Sequence, residues 1–199
     1  MKFANTFRTL IAAFALSAAA HASAAPILLV DSKGILTGAN GVNVGGKLYN
    51  VTFTDGTCAA SFNGCIKSAF PFSTSVEAVS AARALLDQVF IDTPAGLFNS
   101  KPQLTYGCTN MVSCLTYIPV TLATDPKFFT SAILTNTGGN DLISLGGLAM
   151  VSDDFGRVAT RNFAVFKFAP EAVDVPEPTS IALLSIAIAG LALSRRRKN

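Results

Sequence analysis

The sequence predicts an α+β domain in which an antiparallel β-sheet packs with one main amphipathic helix. Short apolar stretches with strand periodicity occur both before and after a single stretch with helical periodicity, which indicates this class. An uncharged apolar run also lies near each terminus beside a group of cations. These runs predict a signal peptide in residues 1–24 and a C-terminal transmembrane helix in residues 175–199. The exported domain is then residues 25–174.

The N-terminal segment has the three parts of a secretory signal peptide. Lys2 and Arg8 form the charged part, residues 10–20 the apolar part, and Ala22-Ser23-Ala24 the small-x-small cleavage site. We place the cut after Ala24, because a cut after Ala25 puts Pro26 next to the scissile bond. The expected partners are the Sec translocon and signal peptidase, and the alternative is an uncleaved anchor.

The charge of the exported domain differs from that of the whole chain. Six cations and one acid, Glu177, lie in the two end segments, which leaves nine Lys and Arg against eleven Asp and Glu between them. The domain is therefore mildly acidic, and nucleic acid is not expected as a partner. The only histidine is His21, in the signal peptide. Removal of the signal peptide leaves the exported domain without histidine. This excludes Ser-His-Asp and Cys-His catalysis and all histidine metal sites.

The four cysteines indicate an oxidising compartment, because an even number in an exported chain is typical of disulfides. Three pairings are possible. We favour the two local ones, Cys58 with Cys65 and Cys108 with Cys114. Zinc ligands prefer a closer spacing, so a metal site is the weaker interpretation.

The first half of the domain contains two predicted strand regions. Residues 27–31 form a short apolar strand, followed by a turn at residues 32–34. Residues 41–53 form a β-hairpin around Gly45-Gly46, because two glycines accept the positive φ angles of a tight hairpin turn. Val42 and Val44 are expected on one face, opposite Tyr49, Val51 and Phe53 or their neighbours, with the register left open. Residues 55–65 follow as a loop closed by a disulfide.

One helix is predicted after this loop. Thr74 and Glu77 have the spacing of a capping box, and Pro94 and Gly96 are expected to end the helix. Apolar residues recur at three- and four-residue spacing and predict a single buried stripe: Val76, Val79, Ala82, Leu86, Val89 and Phe90.

The second half of the domain contains the remaining strands. Residues 95–114 are expected to form a long loop, and residues 115–122 a strand that Pro119 restricts to a sheet edge or a bulge. Three further strands are predicted at residues 128–136, 145–152 and 157–168. The last has at least one buried face, formed by Phe163, Val165, Phe166 and Phe168. Residues 169–174 are a linker.

Three pairs of aspartates are candidates for acid–base chemistry of the glycoside-hydrolase type: Asp153 with Asp154, Asp87 with Asp92, and Asp31 with Asp55. Adjacent residues in a strand point to opposite faces, so Asp153 and Asp154 do not readily share a site. We interpret all three pairs as solvated loop charges. No catalytic residue and no cofactor is assigned.

Residues 138–142 resemble one unit of a calcium-binding repeat, but they lack the glycine before the aspartate and occur once, whereas such sites need stacked turns. We predict a turn there and assign no metal. The fifteen phenylalanines are expected in the core rather than on a sugar-stacking surface.

The C-terminal segment has three parts in fixed order. Val175, Pro176, Glu177 and Pro178 form an extended handle, because neither proline fits inside a helix. Residues 181–193 form a short uncharged run suited to a helix in lipid. The basic membrane stop consists of Arg195, Arg196, Arg197 and Lys198, which keep the chain end in the cytoplasm.

This order resembles the PEP-CTERM sorting signal of exported Gram-negative proteins. The resemblance implies cleavage at the tripeptide by exosortase, a transpeptidase-like membrane enzyme, after a transient stay in the inner membrane. It implies a destination at the cell surface or in the extracellular matrix, in association with exopolysaccharide. Residues 31–53 and the order of helix and paired cysteines resemble PEP-CTERM proteins with no assigned activity. An ordinary tail anchor is the alternative.

The leading functional hypothesis is a non-catalytic envelope or matrix protein sorted in this way. The alternatives are a surface glycoside hydrolase that uses two carboxylates and a permanently anchored periplasmic binding module with an apolar pocket.

Overall fold

The computed structural model describes residues 25–169. The predicted signal peptide, most of the linker and the sorting segment lie outside these residues. The described part contains nine strands: β1 (Ile27–Val30), β2 (Leu36–Val44), β3 (Lys47–Thr54), β4 (Asp92–Thr93), β5 (Gly96–Leu97), β6 (Cys114–Leu122), β7 (Phe128–Asn136), β8 (Leu142–Met150) and β9 (Arg161–Phe168). It also contains a one-turn helix α1 (Cys58–Ser61), the main helix α2 (Ser75–Gln88), and short 3₁₀ turns at Lys67–Ala69, Pro102–Leu104 and Phe155–Arg157. The sheet with one main helix confirms the α+β prediction.

Seven strands form one sheet in the order β1-β2-β3-β9-β6-β7-β8, and β4 pairs with β5 separately. All neighbours in the large sheet are antiparallel except β6 and β9, which pair in parallel over three residues. The antiparallel prediction is therefore wrong at this one pair. The chain inserts β9 between β3 and β6, which run in opposite directions, so β9 must be parallel to one of them.

The predicted hairpin is confirmed and its register is now fixed. Gly45 and Gly46 have φ angles of 59° and 87° and join β2 to β3 in a two-residue turn. Val42 lies opposite Tyr49 and Val44 opposite Lys47, so the apolar residues of both strands share one face. This face packs against α2.

The main helix begins as predicted. The Thr74 hydroxyl accepts a hydrogen bond from the Glu77 N–H at 3.2 Å, and the Glu77 carboxylate accepts one from the Thr74 N–H at 3.1 Å. The two bonds satisfy donors that the first helical turn leaves without intrahelical partners.

The predicted buried stripe of this helix is partly wrong. The buried residues are Ala78, Ala81, Ala82, Ala84 and Leu85, whereas Val76 is 76% exposed. Small alanine side chains allow a helix backbone to lie close to a sheet, and the valine then remains on the outer surface. The helix also ends at Gln88, before Pro94. Val89 and Phe90 lie beyond it but are still buried in the core.

The strand that contains Pro119 lies inside the sheet, between β9 and β7. The edge alternative was wrong and the bulge alternative is confirmed, because the β6–β7 register shifts between Pro119 and Thr121. The Leu115 N–H donates toward the β9 side, to the Thr160 oxygen at 2.7 Å. The backbone nitrogen of Pro119 also faces the β9 side, because Pro119 lies four residues after Leu115 on the same strand. However, β9 pairs with β6 only as far as Tyr117. The missing N–H of Pro119 therefore interrupts no ladder bond on that side.

The sheet is covered on both faces. The helix-side core packs α2 against one face and includes Val51, Phe53, Ile118, Leu134 and Phe166. The loop-side core packs α1 and the segments around Phe70 and Phe155 against the other face, where they meet Tyr117, Phe129 and Phe163. The strand at residues 161–168 thus contributes to both cores, through Phe163 on one face and Phe166 on the other.

Two strand boundaries differ from the predictions. β8 begins at Leu142 instead of residue 145, and β9 begins at Arg161 because Phe155–Arg157 form a 3₁₀ turn. The expected long loop at 95–114 also contains β5 and a 3₁₀ turn. Within residues 25–169, no helix has the length and apolar character needed to cross a membrane. The predicted membrane segment at residues 181–193 lies outside these residues.

Candidate functional site

Both favoured disulfides are present. Cys58 is bonded to Cys65 and Cys108 to Cys114, with Cα–Cα distances of 5.1 and 5.6 Å. The first holds α1 on the loop-side core. The second ties the loop at residues 105–108 to the start of β6. The prediction that 55–65 is only a loop was wrong, because Thr57 caps a helical turn at Cys58–Ser61.

Most of the candidate aspartates hold nearby turns. Asp31 accepts the N–H groups of Lys33 and Ile35. Asp153 accepts the N–H of Met150, and Asp154 accepts that of Gly156 and pairs with Arg157 at 3.2 Å. The two neighbouring carboxylates are therefore engaged in separate local interactions.

Asp92 has a similar role in the loop that contains β5. Its carboxylate accepts the N–H groups of Asn99 and Ser100, both at 3.0 Å, and the Ser100 hydroxyl. The hydrogen bond from the Ser100 hydroxyl is the main reason that the pKa of Asp92 lies below its ordinary value. Asp87 is exposed on α2.

The predicted turn at residues 138–142 is confirmed and joins β7 to β8. The Asp141 carboxylate accepts the Thr137 N–H at 2.9 Å, and the Thr137 hydroxyl donates to the Asn140 oxygen at 2.9 Å. In the part of the chain that the structure describes, no cluster of three or more His, Cys, Asp or Glu residues could hold a metal ion.

Asp55 differs from the other candidate aspartates, because it lines two adjoining surface grooves together with Tyr106. One groove has a volume of about 400 Å³ and the other about 420 Å³. The first is lined by Thr37, Thr52, Phe53, Thr54, Gly56, Ala60 and Ser61, and the second by Gly107, Thr109, Gly156, Arg157, Val158 and Ala159. We call the two together the Tyr106 groove. Its lining residues carry hydroxyls, one carboxylate, one guanidinium and two aromatic rings, of which Phe53 is buried and Tyr106 is exposed.

The backbone of Tyr106 is held on two sides. Its N–H donates to the Leu36 oxygen of β2 at 2.9 Å, and its carbonyl accepts from Asn162 Nδ2 of β9 at 2.7 Å. Asn162 is fully buried, so this bond is shielded from water. The Tyr106 side chain is 41% exposed. An exposed ring thus projects from a backbone that the sheet fixes in place.

Gly107 allows Asp55 to pack closely against the segment that carries Tyr106. Its φ is +84°, and a Cβ at this position would lie 2.8 Å from Asp55 Cβ and 2.9 Å from Asn162 Cβ. Only glycine combines this backbone conformation with such a close approach. The residue therefore lets Asp55 pack against the loop that carries Tyr106, and both residues line the same groove.

Sequence reasoning named Asp55 with the wrong partner and did not identify Tyr106. Asp31 and Asp55 were considered together, but Asp31 caps its own turn. A signal for Tyr106 was present, since it is an aromatic residue in a Gly- and Asn-rich segment just before a local disulfide. The other expectation about aromatics is confirmed for most of the phenylalanines, which lie in the two cores.

Comparisons with known proteins identify the C-terminal segment. Residues 174–198 match the family model described as the PEP-CTERM protein-sorting motif. This match includes the handle, the apolar run and the basic stop. No curated protein and no solved structure is significantly similar to the chain. The chain therefore carries a PEP-CTERM protein-sorting motif, which supports export and exosortase-directed sorting to the cell envelope.

Proposed function

We propose that this is a non-catalytic protein of the outer envelope or extracellular matrix, released from a transient membrane anchor by cleavage at Pro176 to Pro178. The observation that carries the proposal is the match of residues 174–198 to the sorting motif. The two disulfides of the domain support an oxidising destination. The local roles of Asp31, Asp92, Asp153 and Asp154 favour it over a hydrolase with paired carboxylates.

The processing step is tested by the intact mass of the exported protein. We expect a mass that lacks Arg195, Arg196, Arg197 and Lys198 in cells with an exosortase, and a mass that retains them in cells without one. A P176A/P178A variant should keep the basic residues in both. P170A is the matched control and should be processed normally. An exported wild-type protein that keeps its basic end in the presence of the enzyme contradicts the proposal.

We further propose that the Tyr106 groove is the contact with exopolysaccharide. A pyranose ring has an apolar face that packs against an aromatic ring, and its hydroxyls donate to carboxylates and pair with Ser and Thr hydroxyls. The fixed backbone of Tyr106 reduces the entropy cost of binding. These features also fit the alternative of a permanently anchored binding module. The proposal differs from that alternative because it requires the tail to be cleaved.

This contact is tested with the exopolysaccharide of the producing cell, bound to a surface. Tyr106→Ala should weaken binding roughly tenfold, or ~1.4 kcal/mol, and Tyr106→Phe should retain most of the affinity. Met111→Ala removes an exposed apolar side chain outside the groove and serves as the control. Equal binding by all four proteins would exclude the groove as the contact.

A further inference from the structure

Within residues 25–169, no strand pairs with the outer edge of β8, and β8 itself carries no charge. β8 is the last strand of the sheet, is nine residues long and has the sequence LISLGGLAM. Leu145 is 58% exposed and Leu148 61% exposed. Natural proteins usually protect such edges with charges, prolines or short strands, because unpaired N–H and C=O groups recruit another strand. The opposite edge, β1, has only four residues.

A glycine bulge places the exposed side chains of β8 on one face. The β7–β8 register shifts between Ser131 and Ala132, and Gly146 is the extra residue, with a φ of +75°. Leu145 and Leu148 lie opposite Ala132 and Thr130, which are two residues apart on β7 and share a face. Without the bulge, residues three apart would point to opposite faces.

This geometry makes β8 complementary to a second copy of itself. If two β8 strands run antiparallel with Leu145 opposite Leu148, then Ile143 lies opposite Met150 and Ser144 opposite Ala149. The register with β7 places Ile143, Leu145, Leu148 and Met150 on the helix face, and Ser144 and Ala149 on the other face. Every one of these pairs therefore joins two residues of the same face, as an antiparallel ladder requires.

The centre of this pairing is also compatible, because Gly146 and Gly147 meet at the twofold axis, where they bring no side chains. The backbone of Met150 is already hydrogen-bonded, since its N–H donates to the Asp153 carboxylate at 3.3 Å and its carbonyl accepts the Asp153 N–H at 3.1 Å. The ladder hydrogen bonds of the pairing therefore fall at Leu145 and Leu148. Since β8 has no charged residue, no like charges face each other within the strand pair.

We propose that β8 is the site where a second copy of this chain pairs, antiparallel and about a twofold axis between Gly146 and Gly147. The self-complementary register favours a second copy over an unrelated partner, because an unrelated strand would not require the two halves of β8 to match. The pairing extends the sheet and covers Leu145 and Leu148 with their counterparts.

The test measures the protein mass of the full chain, produced by an exporting host and kept in mild detergent, by size-exclusion chromatography with light scattering. We expect twice the mass of one chain. L145K/L148K should give the mass of one chain, because each lysine faces a lysine across the axis. L145K/L148E should restore the doubled mass, because each lysine then faces a glutamate. Circular dichroism and intact disulfides confirm that each variant is folded.

The return of the doubled mass in L145K/L148E is specific to the proposed register. Two further variants test whether another surface forms the dimer. V76K places a charge on the outer face of α2, and I27K places one on the edge strand β1; both should keep the doubled mass. A wild-type protein with the mass of one chain overturns the proposal. This holds even if hydrogen exchange shows the β8 amides to be protected, since residues 181–193 of the same chain would then cover the edge. Dissociation by I27K or V76K also overturns the proposal, as does a doubled mass for L145K/L148K.

Discussion

Buried or half-buried amide side chains hydrogen-bond to the backbone of segments distant in sequence. Asn136 of β7 donates to the Phe98 oxygen at 2.7 Å, and Asn162 of β9 donates to the Tyr106 oxygen at 2.7 Å. Gln88, at the end of α2, accepts the Asn43 N–H at 2.9 Å and donates to the Asn43 oxygen at 2.8 Å. Such bonds are costly to break in a buried site, because the remaining polar group loses its partner.

Gly107 is the residue on which the Tyr106 groove most directly depends. Gly107→Ala should destabilise the protein more than Gly34→Ala, as measured by urea unfolding. Both glycines have positive φ, so both variants incur the left-handed backbone cost of about 1–2 kcal/mol. Only at Gly107 does the new methyl group meet other atoms, since nothing lies within 4 Å at Gly34. Equal losses in the two variants would contradict the close packing of Asp55 and Asn162.

The elements of the domain begin and end at specific local interactions. The Thr74 hydroxyl, and then Ser73, hydrogen-bond to the Glu77 carboxylate and hold its pKa below the ordinary value. The one-turn helix α1 is capped by the Thr57 hydroxyl and closed by the Cys58–Cys65 bridge. In the sheet, Arg161 at the start of β9 lies over the rings of Tyr117 and Phe155, 5.9 and 5.7 Å from their centres. Burial raises the pKa of Tyr117.

The capping box predicts a pH-dependent contribution to stability. Because the pKa of Glu77 is lower in the folded protein than in the unfolded chain, its contribution is present above the unfolded pKa and is lost as pH falls through the folded pKa. The difference in unfolding free energy between wild type and Glu77→Gln should therefore shrink in acid.

Urea unfolding at neutral and acidic pH measures this difference. Thr74→Ala should cost about 1 kcal/mol at neutral pH, since it removes the cap hydroxyl. Ser80→Ala, an exposed site within the same helix, is the control. A Glu77→Gln difference that is unchanged by acid would contradict the assigned role of the carboxylate.

The domain at residues 25–169 is built on one large sheet with separate cores on its two faces. On the loop side, the Phe163 ring contacts those of Phe62, Tyr117, Phe129 and Phe155. On the helix side, the Phe166 ring contacts those of Tyr49 and Phe72. The two phenylalanines are three positions apart on β9 but share none of these ring partners.

This separation predicts additive effects of mutations in the two cores. Phe163→Leu and Phe166→Leu should each lower the free energy of unfolding by about 1–2 kcal/mol through lost packing. The double variant should lose the sum within about 0.5 kcal/mol, because no partner is shared. Urea unfolding of the three variants measures this. A coupling above about 1 kcal/mol would indicate that the sheet transmits strain between its faces.

Interactions between residues close in sequence could be predicted from the sequence. The Gly45-Gly46 turn, the Thr74–Glu77 box, the short disulfide loops and the order of parts in the sorting motif each depend on a few neighbouring residues. Their chemistry allows few alternatives, so the pattern of residue types determines them.

Only the tertiary structure decided the features that depend on which distant segments become neighbours. Because β9 lies between β3 and β6, the strand that contains Pro119 is inside the sheet. Because α2 lies close to the sheet, its alanines are the residues that are buried. The same assembly placed Asp55 and Tyr106 in the lining of one groove and left β8 at the edge of the sheet. Residues far apart in sequence meet only when the sheet closes around its two cores, and no local pattern specifies that order of strands.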